Sequence, residues 1–170
     1  MLSFISGLSP NSAAFALFVG EKYEYKDTKG IFSDEMRKKI DIFLKSLKSG
    51  NQKEEISSMD ISDKKKCFVI KVKNKYENYY FEEMGGSFFT YIKSYKNINT
   101  VDIYSDSLNE NKDKLSKLFS EFIFGFNLKS YTFNKYKTLN KDIIGKKISF
   151  KIITSYKEKI QKEYKYYDAI

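Results

Sequence analysis

The side chains that most often carry chemistry are scarce in this 170-residue chain. It has no His and a single Cys, Cys67, which excludes Ser-His-Asp triads, Cys-His pairs and His-based zinc sites. No Gly-x-Ser-x-Gly elbow and no Gly-x-x-x-x-Gly-Lys-Ser/Thr loop occurs. Carboxylates remain, and the closest groupings that could hold a cation are Asp60 with Asp63 and Asp102 with Asp106. The first pair falls in a Lys-flanked loop and the second straddles a strand end, where solvated or capping roles account for both. Gly85-Gly86 would cradle a phosphate only at a helix N-terminus, and the pattern sets it about two turns inside a helix.

The elements that would position these residues alternate along the chain. Residues 2–6 read as a short strand, and residues 13–20, Ala-Ala-Phe-Ala-Leu-Phe-Val-Gly, as a strand covered on both faces. Ser33 is placed to cap a helix with Asp34 and Glu35 in its first turn. Its apolar stripe is Met36, Ile40, Phe43, Leu44 and Leu47, and Lys45, Lys48 and Gly50 suit its end. An edge strand is expected over residues 56–61 and a core strand over 67–72. A helix over 78–95 carries Phe81, Met84, Phe88, Ile92 and Tyr95 on one face. Gly85 shares that face; a helix-interior Gly costs about 1 kcal/mol relative to Ala, so the sequence predicts close approach to the sheet backbone.

Residues 100–104 form the next strand, and Ser107-x-x-Glu110 has the form of a capping box for a long helix. That helix places Leu115, Leu118, Phe119, Phe122, Ile123 and Phe126 on one buried face. Its continuation, residues 122–138, is the most aromatic part of the chain. In Tyr131, Phe133 and Lys135 the spacing changes to two, and Lys135, Lys137 and Lys141 make the exit cationic. The expectation is a segment that leaves the helix and crosses the surface. Residues 148–153 alternate as a strand, and Ser155-x-x-Glu158 is expected to cap a last helix with the stripe Tyr156, Ile160, Tyr164 and Tyr167. The alternation predicts an α/β fold: a mixed, mostly parallel sheet with helices on both faces.

The run Gly125-Phe-Asn-Leu-Lys-Ser-Tyr-Thr-Phe-Asn-Lys-Tyr-Lys-Thr138 resembles the end of the amino-terminal domain of leucine (cytosol) aminopeptidases, Gly-x-x-Leu-Gly-Ser-Tyr-Arg-Phe-Asp-x-Tyr-Lys-Thr. Gly125, Leu128, Ser130, Tyr131, Phe133, Tyr136, Lys137 and Thr138 match; Lys129, Thr132 and Asn134 stand where the family has Gly, Arg and Asp. Phe81-Glu-Glu-Met-Gly-Gly-Ser87 is similar to a Gly-containing helix of the same domain. The resemblance implies a three-layer, macro-domain-like α/β/α fold and a non-catalytic front half of a two-metal exopeptidase. It implies Tyr131, Phe133 and Tyr136 as structural anchors and a last helix, still periodic at Tyr167 and Ile170, that continues towards a catalytic domain. The parent would be a cytosolic homo-hexamer that uses two divalent cations, zinc or manganese, to release amino-terminal residues such as Leu from peptides. The family's metal-site motif, Asn-Thr-Asp-Ala-Glu-Gly-Arg, is not in this chain, so no catalytic residue and no cofactor is carried over.

Length suits one domain over residues 1–170, large enough to hide roughly 70% of the surface of its unfolded chain. No run of 18 or more apolar residues occurs. The lone Cys67, between strand residues, reads as packing in a reducing cytosol. The net charge of +9 raises one alternative, a Lys-rich anion or nucleic-acid binding module, and the expected fold permits another, a macro-type nucleotide binder. Arg37 is the only Arg, which argues against sequence-specific DNA readout, because base recognition favours the bidentate guanidinium. No Gly-rich loop between strand and helix is placed to hold a diphosphate.

Overall fold

The computed structural model describes residues 2–139 and 147–168. Six strands form one sheet: β1 (Phe4–Ile5), β2 (Ala14–Val19), β3 (Ile56–Ser62), β4 (Lys65–Lys71), β5 (Thr100–Tyr104) and β6 (Ser149–Ile153), in the order β1-β6-β5-β2-β4-β3. All neighbours pair in parallel except β3 with β4. The helices are α1 (Asp34–Ser49), α2 (Tyr80–Ile92), α3 (Lys112–Leu139) and α4 (Lys157–Asp168). Among the described residues no helix is long and apolar enough to cross a membrane.

β2 lies at the centre, paired on both sides, and all six of its residues are buried. Its alternate side chains divide the core. Phe15, Leu17 and Val19 meet Ile40, Leu44 and Leu47 of α1, while Ala14, Ala16 and Phe18 face α2, α3 and Ile160 of α4. This is the three-layer, mostly parallel sheet that the alternation of elements predicts. α1 starts where its sequence says: the Ser33 hydroxyl accepts the Met36 N–H at 3.2 Å, and the Gly50 N–H closes the last turn on the Ser46 carbonyl.

Four local expectations are corrected. α3 does not end near Phe126 to release an aromatic segment, because it continues as helix to Leu139. The reason is that Phe133 keeps to the stripe of Phe119, Phe122 and Phe126 and packs on Phe89, ring centroids 5.6 Å apart. Tyr131 and Lys135 instead turn to solvent. Second, Gly85 approaches a helix and not the sheet: a Cβ there would fall on the Phe122 carbonyl of α3. Third, Ser107 caps nothing. It is buried in a short 3-10 turn, where its hydroxyl accepts the Phe18 N–H and donates to the Tyr104 carbonyl; Asn111 accepts the Lys114 N–H at the start of α3. Fourth, α4 begins at Lys157, and the Ser155 N–H goes to the Asp106 carboxylate. Lys141 and Ile170 lie outside the described residues, as do the side chains of Tyr136, Lys137 and Thr138.

Candidate functional site

A parallel α/β sheet offers ligands the crevice beyond its strand carboxyl ends, where successive helices leave towards opposite faces. Here that place is the end of β2, since α1 covers one face and α2 and α3 the other. The crevice is small, about 80 Å³, with Gly20, Glu24, Lys73, Asn74, Leu108 and Glu110 in its lining. Ligand pockets usually occupy about 300–1,000 Å³. Its closure is built from side chains. The Glu24 carboxylate lies where a Gly20 Cβ would be, and the Gly20 N–H donates to the Glu24 carbonyl at 3.0 Å. The Glu21 carboxylate accepts both the Asn74 N–H at 3.0 Å and its side-chain amide at 3.1 Å, tying the β2 and β4 ends together. The Lys26 N–H reaches the Ser107 carbonyl and ties in the β5 end.

The loop that makes this closure hangs on Asp27. Its carboxylate accepts the Ile31 and Phe32 N–H groups, the Tyr104 hydroxyl at 2.8 Å and an Arg37 N–H at 3.3 Å. Burial opposes the charge on Asp27, but these four donors outweigh it and hold the carboxyl below its ordinary range. Burial also pushes the Tyr104 hydroxyl up, helped by the same carboxylate. The sequence reading overlooked Asp27; its signal was an Asp three residues before Gly30, which takes φ +64° in a tight turn.

The paired aspartates separate into different roles. Asp60 is exposed and bonded to Lys66 at 2.8 Å, as a solvated role requires. Asp102 and Asp106 are buried, a correction to the solvated reading. Asp102 accepts the Ser9 N–H and the Ser12 hydroxyl, each at 2.7 Å, and so pins the loop between β1 and β2. Asp106 accepts the Ser105 and Thr154 hydroxyls and the Ser155 N–H, which is the capping role at the approach to α4. Each buried oxygen has a donor, so neither Asp is left to bind a ligand. Among the described residues no three Cys, Asp or Glu side chains group as a metal would need. Cys67 is buried, and burial alone raises its thiol pKa, so it stays protonated and inert.

A second cleft is open. On the outer side of the α2–α3 pair lies a groove of about 630 Å³, floored by Gly86 and Gly125 and walled by Glu83 and Thr90 on α2 and by Leu128 and Thr132 on α3. The helices can approach this closely because Gly85 and Gly125 have no Cβ: one would fall on the Phe122 carbonyl, the other on the Glu82 carbonyl. The resemblance motif runs along this helix. Gly125 makes the crossing, Phe133 is half-buried against Phe89, Leu128 lines the groove, Ser130 is half-buried, and Tyr131 is 68% exposed. The geometry therefore brings Gly125 and Phe133 into the packing and leaves Tyr131 outside it.

No protein-family model matches the chain, and no curated protein matches it in sequence. Solved structures do resemble it in fold. One is a tomato leucine aminopeptidase mutant, 14% identical with a TM-score of 0.61; the likeness covers 99% of this chain and 36% of that one, so this chain spans about a third of its length. Another is the macrodomain of Thermus aquaticus DarG, 11% identical with a TM-score of 0.58, over 91% of this chain and 98% of that one. At these identities the likeness establishes the macro-type α/β fold. It does not carry residues across.

Proposed function

We propose that this chain is a non-catalytic scaffold domain of a leucine-aminopeptidase-like protein, whose work is assembly and the shaping of access to a catalytic half. The observation that carries this reading is the filled crevice at the strand ends. The place where an α/β sheet would hold a small ligand is closed by Glu21, Glu24 and the Asp27-anchored loop. At about 80 Å³ the space left is too small for a diphosphate and its nucleoside. Support comes from the motif at Gly125–Thr138 and from a fold shared with the tomato aminopeptidase over almost the whole chain. The two cations, zinc or manganese, belong in this reading to a carboxy-terminal half, where they would polarise the scissile carbonyl and activate water. The cytoplasm and a hexameric parent are part of the same proposal.

The rival reading, a macro-type nucleotide binder, rests on the likeness to the DarG macrodomain, and the small, closed crevice opposes it. A Lys-rich anion binder is opposed by the interleaving of charges: Lys39, Lys66, Lys73, Lys114 and Lys159 each pair with a carboxylate. Two measurements test the proposal. Reading the gene past the Ile170 codon should reach an open frame with the Asn-Thr-Asp-Ala-Glu-Gly-Arg motif, and a stop codon there overturns the peptidase parent. Calorimetric titration with ADP-ribose should give no saturable heat, and saturation would transfer the assignment to nucleotide binding.

A further inference from the structure

The α2–α3 groove has the charge pattern of a surface that fits itself. On its α2 wall Glu83 is exposed; on the α3 side Lys129 is exposed beside Leu128, itself 48% exposed. Neither Glu83 nor Lys129 takes part in a salt bridge among the described residues. Level with them, the floor at Gly86 and Gly125 is backbone, so a ridge of side chains can enter deeply. α2 and α3 run in the same direction, Glu82 lying by Gly125 and Gly86 by Lys129.

We propose that this groove is a two-fold interface in which α3 of a second copy of the chain seats between α2 and α3 of the first. A two-fold axis parallel to α3 inserts Leu128 of each copy into the other's groove and sets Lys129 of one against Glu83 of the other, twice. The contact buries the exposed Leu128 and satisfies two charges that form no salt bridge among the described residues. A partner with one net charge would match only one wall of the groove, whereas a second copy matches both. The inference rests on the assembly role proposed above and names the face that performs it.

The test is the mass of the chain in solution, by sedimentation equilibrium up to about 100 µM, where a dimer with a Kd of about 10 µM is mostly assembled. The wild type should be a dimer. Lys129→Glu should raise the dissociation constant about a hundredfold, since it places like charges together at two symmetric contacts. The double change Glu83→Lys with Lys129→Glu restores complementarity and should restore the dimer. Both positions are exposed, so circular dichroism should show the same fold in every variant. A wild type that stays monomeric overturns the interface and leaves the groove to a partner of another sequence. A dimer unchanged by Lys129→Glu, or not regained in the double variant, overturns it as well. None of these outcomes alters the gene reading or the ADP-ribose titration, so the scaffold reading stands or falls separately.

Discussion

The strand-end crevice and the α2–α3 groove are both junctions between elements, yet one is sealed and the other open. At the crevice and along the loop that closes it, polar side chains meet each other: Glu21 with Asn74, Glu24 against Gly20, Asp27 with Tyr104 and Arg37. In the groove, residues without side chains form the floor and the charges on the walls stay apart. Recognition in this chain therefore falls to the open junction. A sheet that has used its polar groups internally leaves its helices as the surface with something to offer.

The contrast can be broken most severely at Gly125. Gly125→Ala drives a Cβ into the Glu82 carbonyl, which is backbone and cannot step aside, so α2 and α3 must separate. The expected loss is about 3 kcal/mol, read by urea unfolding. Next comes the loop that seals the crevice. Asp27→Asn removes a carboxylate with four donors and should cost about 2 kcal/mol at neutral pH. Because the folded carboxyl lies below its unfolded value of about 4, the stability it adds is complete above that pH and is lost as pH falls towards the folded value. The gap between wild type and Asp27→Asn should therefore narrow in acid below about pH 4; a constant gap would show that the charge contributes nothing.

Gly86→Ala acts on the groove in the opposite direction. A Cβ at Gly86 meets the Gly125 carbonyl and Lys129 at 3.6 Å, an ordinary contact. Helix propensity should then prevail, with a gain of up to about 1 kcal/mol. Two adjacent glycines, Gly85 and Gly86, thus separate by function: the first makes the crossing and the second keeps the groove floor low. The smallest effect is expected from Glu21→Ala, which opens the exposed tie to Asn74 and should change stability by less than about 0.5 kcal/mol. A larger loss would show that the crevice is held shut chiefly by that tie.

Much of the scaffold is readable from the residues because its causes are local. The doubly covered β2, the Ser33 cap and the stripe of α1 each follow from neighbours in sequence. What sequence alone misplaced depends on partners far along the chain. The two-residue spacing at Tyr131 and Phe133 suggests an end to α3, but Phe89 of α2 is there to receive Phe133 and the helix goes on. Gly85 correctly predicts a close approach, and only the tertiary structure reveals that α3 is what approaches. Asp102 looks like a surface carboxylate until Ser9 and Ser12 come from some ninety residues away to satisfy it. Of the motif residues, Gly125 has a role that its type foretells, whereas the exposure of Tyr131 does not follow from its aromatic character.

The order of the strands has a further effect on how copies of this chain meet. One margin of the sheet is β1, only two residues long; the other is β3, antiparallel and interrupted by a register shift between Asp60 and Ser62. A two-residue margin gives an incoming strand little backbone to pair with, and a register shift near the end of the other shortens its regular run to residues 56–60. Edge-to-edge pairing is therefore disfavoured, most of all at β1, and copies of this chain should associate through their helices before their sheet margins.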